Sequence, residues 1–416
     1  MIPRDFLNQF HDMPGVDANA FAQAMLLPPA VSLKINRRKL SDIGEAGYGE
    51  LEQVAWCRSG YYLDERPNFT LNPLLHAGAF YVQDASSMVY EEIVSNLVAQ
   101  GALPQRAGVL DICAAPGGKS TSIINAMGDD SFLLANEFVP QRATILKENL
   151  LKWGFPNIMV TNSPTSRIAS LGESFHLVAV DAPCSGEGMM RKDPKAVEQW
   201  SPSLVRQCAA LQRDILTDAV GALLPGGFMI YSTCTFNRVE DEDQLIWLRD
   251  VMGLEILDPL PANSFGILGS VVPGVPALRF MPHVTRGEGL FVALLRKPGN
   301  LTAGCDSKLP ARIRSKAKVI LDGIPKTIMK GKVEIPASES VLATDFDRAS
   351  YPMAEVGRET ALRYLRHEAI TLPGNMPRGY VVISYGGHPL GLVKNIGNRA
   401  NNLYPAAWRI RQQVDF

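Results

Sequence analysis

GVLDICAAPGGKSTSIINAM (108–127) decides the fold. A short apolar run reaches Asp111, a turn of small residues and glycines follows, and KSTSIINAM (119–127) reads as a helix. Downstream, SFLLANE (131–137) is a strand and QRATILKENLLKWG (141–154) a helix closed by Gly154. NIMVTN (157–162) and HLVAVDAP (176–183) are strands. VRQCAALQRDILTDAVGALLPGG (205–227) is a long amphipathic helix ending in a Pro-Gly-Gly turn, and GFMIYSTCT (227–235) is another strand. Strands alternating with helices imply right-handed βαβ units around a parallel sheet. Ligands of such sheets bind beyond the carboxyl ends of the strands. Asp111 to Lys119, Glu137, Asp181 to Cys184 and Ser232 to Thr235 all fall there.

Upstream, VSLKIN (31–36) is a short strand running into Arg37, Arg38 and Lys39. AFYVQDASSMVYEEIVSNLVAQ (79–100) carries Met88, Val89, Ile93, Leu97 and Val98 at helical spacing, with Ser86 or Ser87 as its cap. Beyond the core, the sheet is expected to close at GEGLFVALLRK (287–297). KPGNLTAGCDSKLP (297–310) reads as a linker. RGYVVISYGGHPLGLVKNIGN (378–398) reads as a hairpin around Gly386-Gly387 in a small α+β or barrel domain.

At 416 residues the chain should hold two to four domains. It is 46% hydrophobic and 20% charged, with mean hydropathy +0.01. These values suit a folded globular chain and exclude a disordered tail, a collagen or a coiled coil. No run of about 18 apolar residues suggests a membrane helix, and the N-terminus does not read as a signal peptide. Six cysteines (57, 113, 184, 208, 234, 305) lie scattered without a CxxC pair. Free thiols in a reducing cytoplasm are the simplest expectation. The six histidines form no ligand spacing, and no metal is expected. The net charge of −1 hides an asymmetry. From residue 301 there are 17 Lys and Arg against 10 Asp and Glu, or +7, whereas the first 300 residues hold 24 against 32, or −8. A basic C-terminal part suggests a module that meets an anion.

DICAAPGGKS (111–120) nearly matches the phosphate-binding GxxxxGK[ST] loop, but Cys113 replaces the first glycine, which leaves a nucleotide triphosphate site as the weaker alternative. A first-strand loop followed by Glu137 at the end of the second strand suits an adenosyl ligand, whose ribose hydroxyls a carboxylate can accept. Cys184, in DAPCSGEG (181–188), and Cys234, in YSTCTF (231–236), each lie just past an apolar strand. A thiolate is the natural nucleophile for C6 of a pyrimidine, because addition there makes C5 nucleophilic toward a methyl donor. A second acid/base must then remove the C5 proton, and Asp181 can hydrogen-bond the ring edge near N3.

LDICAAPGGKS, ANE, DAPCSGEGMMRKDP, LLPGGFMIYSTCTFNRVEDED and PHVTRGEGLFVALLRK resemble the signature blocks of the Sun/Fmu family of RNA cytosine-5 methyltransferases. SLKINRRK, AFYVQDASSM with Gln83, and GYVVISYGGHPLGLVKNIGNRANNLYPAAWRIR (379–411) resemble its ribosomal RNA small subunit methyltransferase F subgroup. The resemblance implies a Rossmann-like S-adenosylmethionine-dependent methyltransferase core, an N-terminal RNA-binding segment and a C-terminal PUA-like α+β domain. The boundaries expected are 1–100, 101–298 and 299–416. It also implies that Cys234 is the nucleophile and Cys184 the cysteine that helps release product, an order that spacing leaves open. Cys113, Ala114, Ala115, Pro116, Gly117, Gly118, Lys119, Glu137 and Arg142 match the S-adenosyl-L-methionine pocket, and Asp181 borders both ligands. Asp241 stands where many relatives have Asn, and the Glu240 to Glu242 block reads equally as helix N-terminal charge. Pro164 stands at the usual adenine-facing Asp, which passes adenine recognition to Asn162, Ser163 or the backbone.

The substrate this implies is RNA: the 16S ribosomal RNA or small ribosomal subunit, with tRNA as the alternative. An inert RNA-binding assembly factor is the reading from another class. The target cytidine must be single-stranded or flipped out. Candidate phosphate contacts are Arg37, Arg38 and Lys39, then Arg191 and Lys192, then Lys394, Arg399, Arg409 and Arg411. Tyr404 and Trp408 read as stacking groups or, rather better, as packing of the tail core. A monomer is expected.

Overall fold

The computed structural model describes residues 3–11, 13–261, 264–374 and 376–413. Strands β1 (Val31–Ile35), β2 (Gly60–Leu63) and β3 (Phe80–Val82) form an antiparallel sheet in the order β2-β1-β3. The core follows: β4 (Gly108–Asp111), β5 (Phe132–Asn136), β6 (Ile158–Thr161), β7 (Phe175–Asp181) and β8 (Leu223–Thr233), then β9 (Glu255–Leu257), β10 (Leu268–Gly269), β11 (Leu278–Phe280), β12 (Leu290–Arg296) and β13 (Val319–Asp322). The sheet runs β10-β11-β12-β8-β7-β4-β5-β6-β13, with β9 also pairing β12. Strands β6, β5, β4, β7 and β8 are parallel, and the flanking strands are antiparallel.

Alternation along the strands explains the layers. Val109, Leu133 and Ile158 face helices Val89–Ala99, Gly118–Ala126 and Pro140–Trp153. Leu110, Leu134, Met159 and Val178 face helix Pro202–Ala222 on the other side. With both faces covered, β7 reads as one apolar run. Its neighbour β4 is where the strand order reverses, so the carboxyl ends of β4 and β7 flank the crevice of a doubly wound sheet. Gly154 closes its helix in the left-handed conformation, at φ +85°.

Three expectations change. Helix Pro202–Ala222 starts earlier than read, capped by Ser201, whose side chain accepts from Leu204 N. It stops before Pro225, which cannot continue it, and the chain enters β8 at Leu223. Ser86 lies in the short helical turn Ser86–Met88, and neither it nor Ser87 caps helix Val89–Ala99. The sheet does not close at 287–297. Helix Leu309–Lys316 carries the chain to the far edge, where β13 pairs antiparallel with β6.

Strands Met353–Glu355, Gly379–Tyr385, His388–Asn395 and Ala400–Asn402 form a four-stranded sheet packed with helix Arg358–Leu365. The hairpin turns at Gly386 and Gly387, both at positive φ. Leu33, Leu74 and Phe80 share one hydrophobic cluster with Leu362, Val381, Ile383 and Tyr404. The N-terminal sheet and the C-terminal module therefore bury their apolar faces against each other. No helix among the described residues is long and apolar enough to cross a membrane.

Candidate active site at the strand switch point

The cavity beyond β4 and β7 has a volume of about 700 Å³. Cys113, Glu137, Arg142, Asp181, Cys184 and Cys234 line it, with an apolar wall that includes Phe138, Val139, Pro164, Leu211 and Ile215. Because β7 pairs β8 with Asp181 opposite Ser232, the segments leaving the two strands emerge side by side. The Cys184 and Cys234 sulfurs approach to 3.2 Å. That hydrogen bond, with burial second, holds the Cys184 thiol well above its ordinary value.

Asp181 is the end of a chain of polar contacts. Tyr90 OH lies 2.9 Å from Ser232 Oγ, and Ser232 Oγ donates to Asp181 Oδ1 at 2.8 Å. Lys119 Nζ stands 2.8 Å from Asp181 Oδ2. Burial works against the ammonium charge, but the neighbouring Asp181 outweighs it, and Lys119 stays above its ordinary value. Asp111, fully buried, accepts from Ser120 Oγ at 2.6 Å while its Oδ1 has no partner. Burial pushes its carboxyl up to about 7.

Glu137 is only 4% exposed: Oε1 accepts from Val139 N at 2.8 Å, and Oε2 lies 3.6 Å from Arg142. Arg142 also donates to Ala115 O at 2.8 Å. Ala114, Ala115, Pro116, Gly117, Gly118 and Lys119 do not line the cavity. The two glycines among them serve close packing: a Cβ at Gly118 would meet Gln83 Nε2 at 3.2 Å, and one at Gly117 would meet Leu146 at 3.3 Å. Lys34, buried in β1, reaches across to donate to Gly118 O at 2.6 Å. Asn162 and Ser163 do not line the cavity either. The Asn162 amide donates to the carbonyls of Glu137 and Phe138, and Ser163 Oγ accepts from Lys318 N. Pro164 does line it, beside Phe138, which is 67% exposed and which sequence reading missed. An aromatic just past a strand-end acid was the available signal.

Glu240, Asp241 and Glu242 are completely buried and bind neighbouring segments. Glu240 Oε2 accepts from Ser185 N at 3.0 Å. Asp241 and Glu242 both pair with buried Arg279, at 3.0 and 2.7 Å. The block is a bracing element of the Cys234 segment.

The basic candidates divide. Arg38 donates to the carbonyls of Ile124 and Met127, pairs with Asp129 and covers the Phe155 ring. Lys39 Nζ donates to the carbonyls of Ala77 and Lys152. Arg191 donates to Pro28 O at 2.7 Å and lies 3.5 Å from Glu288. These three are half-buried, with nitrogens engaged by carbonyls or carboxylates of the fold. Arg37, Lys192, Lys394, Arg399, Arg409 and Arg411 are exposed. Tyr404 is buried between Tyr364 and Trp408, and Trp408 lies under Lys152, so both aromatics pack the core.

Comparison with known proteins matches residues 102–296 to the family described as 16S rRNA methyltransferase RsmB/F. Residues 2–85 match the N-terminal domain of 16S rRNA methyltransferase RsmF, and 352–410 match the methyltransferase RsmF PUA domain. A ribosomal RNA small subunit methyltransferase F from Enterobacter sp. is 31% identical, aligned over 97% of this chain and 95% of its own length. One from Escherichia coli is 38% identical over 71% of this chain and 63% of its own length, so that alignment spans less than two thirds of the relative. Among solved structures, a methyltransferase homolog protein from Pyrococcus horikoshii superposes with TM-score 0.58 at 28% identity, covering 70% of this chain and 93% of its own. NSun6 from the same organism, solved with SFG, shares the fold at TM-score 0.59 and 20% identity, covering 72% and 99%.

Proposed function

This chain belongs to the ribosomal RNA small subunit methyltransferase F family, and from that membership we propose that it methylates C5 of cytidine in 16S ribosomal RNA, with S-adenosylmethionine as donor. The observation that carries this reading is the Cys184–Cys234 pair, 3.2 Å apart at the cavity that Asp181 also lines. The cavity fits the donor. Glu137 offers a carboxylate at the end of β5 for the ribose, and Phe138, Val139, Pro164 and Ile215 offer an apolar slot for adenine in place of the missing acidic side chain. Cys113, Arg142 and Asp181 complete the wall. When bound, S-adenosylmethionine supplies an electrophilic methyl group.

The protein's own groups do the rest. Cys234, as thiolate, adds to C6, and the C5=C6 electron pair becomes available at C5. Asp181, oriented by Ser232 and held beside Lys119, binds the ring edge near N3 and supports the adduct. Cys184, 3.2 Å from Cys234, is the group placed to take the C5 proton, which it can do once its own thiol proton has passed to solvent. The electron pair of the C5–H bond re-forms C5=C6 as the C6–S bond breaks, and Cys234 leaves as thiolate. Arg37, Lys192 and the exposed basic residues of the tail are the phosphate contacts in this reading.

Bisulfite sequencing of ribosomal RNA and tRNA from a deletion strain tests it. One or more 16S cytidines should lose their methyl mark. Loss of a tRNA mark with 16S RNA unchanged would overturn the substrate and leave the chemistry.

A further inference from the structure

Glu187 lies three residues beyond Cys184, takes no part in the reaction above and is completely buried. Its Oε2 accepts from Phe236 N at 2.7 Å. Its Oε1 accepts from Asn237 Nδ2 at 3.1 Å and from Trp200 Nε1 at 3.0 Å. All three donors are neutral, and two of them belong to the segment that follows Cys234. Burying a carboxylate without a cation is costly unless its lone pairs are filled by well-placed donors. A carboxylate here is also a directional anchor, because a charged acceptor binds N–H groups about twice as strongly as a neutral one. The next residue adds a backbone link: Gly188 N donates to Cys234 O at 2.7 Å. Glu240 makes the reciprocal tie, from the Cys234 segment back to Ser185 N and to Gln212 Nε2. Asn237 Nδ2 sits between the two carboxylates, 2.8 Å from Glu240 Oε1. The two cysteine segments are thus laced together at three points immediately after each thiol.

We propose that Glu187 is a positioning residue, which clamps the Cys184 segment onto the Cys234 segment and sets the thiol separation that product release requires. The proposal rests on the reaction proposed above, and it concerns release rather than attack. Cys234 directly follows the last residue of β8, Thr233, whereas Cys184 sits further out, in an irregular segment past the Asp181 end of β7, and depends on the clamp for its place.

The test uses full-length protein with Glu187→Ala, Glu187→Gln and Trp200→Phe. Glu187→Ala should lower kcat about tenfold or more, the scale of misplacing a reacting group by roughly an ångström. The KM for S-adenosylmethionine should not move. Covalent protein–RNA adduct should build up on denaturing gels, since attack outlasts release. Glu187→Gln keeps an oxygen for Phe236 N and should recover part of the turnover. Trp200→Phe should shift the same partition weakly. Unchanged turnover, or a loss accompanied by weaker S-adenosylmethionine binding and no adduct, would overturn the clamp. If Glu187→Ala does not fold, the adduct fraction of Glu187→Gln decides, and a wild-type fraction there overturns it. A second measurement stands apart from the reaction. Diamide takes two hydrogens from the thiols, giving a Cys184–Cys234 disulfide and reducing its N=N bond to a hydrazine. Glu187→Ala should slow that closure by roughly fivefold, because the thiols lose effective concentration. An unchanged rate counts against the clamp, whereas wild-type protein that makes no 5-methylcytidine counts against the reaction alone.

Discussion

The sulfurs of Cys184 and Cys234 stand 3.2 Å apart although 50 residues separate them in the chain. Parallel pairing of β7 with β8, Asp181 opposite Ser232, brings them together. In the reaction proposed above the two thiols act on the two adjacent carbons of one ring bond, which calls for this closeness and for different roles.

Cys234→Ala should abolish methylation, since no C6 adduct can form. Cys184→Ala should trap a denaturation-resistant protein–RNA complex, since attack proceeds while release stalls. Gel shift after denaturation reads both. Trapping by Cys234→Ala and not by Cys184→Ala would exchange the roles.

Lys119 pairs with Asp181 and, unlike Asp181, does not line the cavity in which the cofactor is proposed to sit. Lys119→Met should therefore leave S-adenosylmethionine affinity within about twofold while lowering kcat by roughly 10²-fold, the scale of removing one electrostatic support. Isothermal titration beside turnover distinguishes the two. A large loss of affinity would return Lys119 to the cofactor site.

His76 joins the N-terminal region to the tail: Nε2 contacts Thr70 O at 2.9 Å, and Nδ1 contacts Tyr404 OH at 3.4 Å. Burial, helped by nearby Lys152, lowers its pKa to about 4 from 6.5. The folded state then binds fewer protons than the unfolded state between these values. Its stabilising contribution is complete above pH 6.5 and is lost as pH falls toward 4, by about 3 kcal/mol in all. His76→Gln should flatten that part of the acid limb in urea unfolding. An unchanged slope between pH 7 and 4 would refute the assignment.

The exposed cations of the tail can be tested without disturbing the fold, whereas cutting at residue 301 would strip β13 from the sheet and uncover the core shared by Leu33 and Ile383. Changing Lys394, Arg399, Arg409 and Arg411 together to Gln should weaken binding to 16S RNA. It should also flatten the dependence of log affinity on log salt by up to roughly 0.7–0.9 per lost phosphate contact. S-adenosylmethionine affinity should hold. An unchanged salt slope would place the RNA elsewhere.

By itself the sequence determined the alternation of strands and helices, the residues at the strand ends, and the hairpin at Gly386-Gly387. Those features are local: apolar period, glycine conformation and proline boundaries act within a few residues. It also singled out Cys184, Cys234 and Asp181, because strand-end position follows from that same period. Tertiary structure alone decided which thiol meets which, since strand order and register depend on contacts far apart in the chain. It also moved β13 to the far edge of the sheet and joined the N-terminal sheet to the tail. A charged side chain reads alike in sequence whether it meets solvent or a buried carbonyl. Only packing could show that Arg38, Lys39 and Arg191 bond to carbonyls or carboxylates of the fold while Arg37 and Lys192 stay exposed, or that Glu187 binds the segment that follows Cys234.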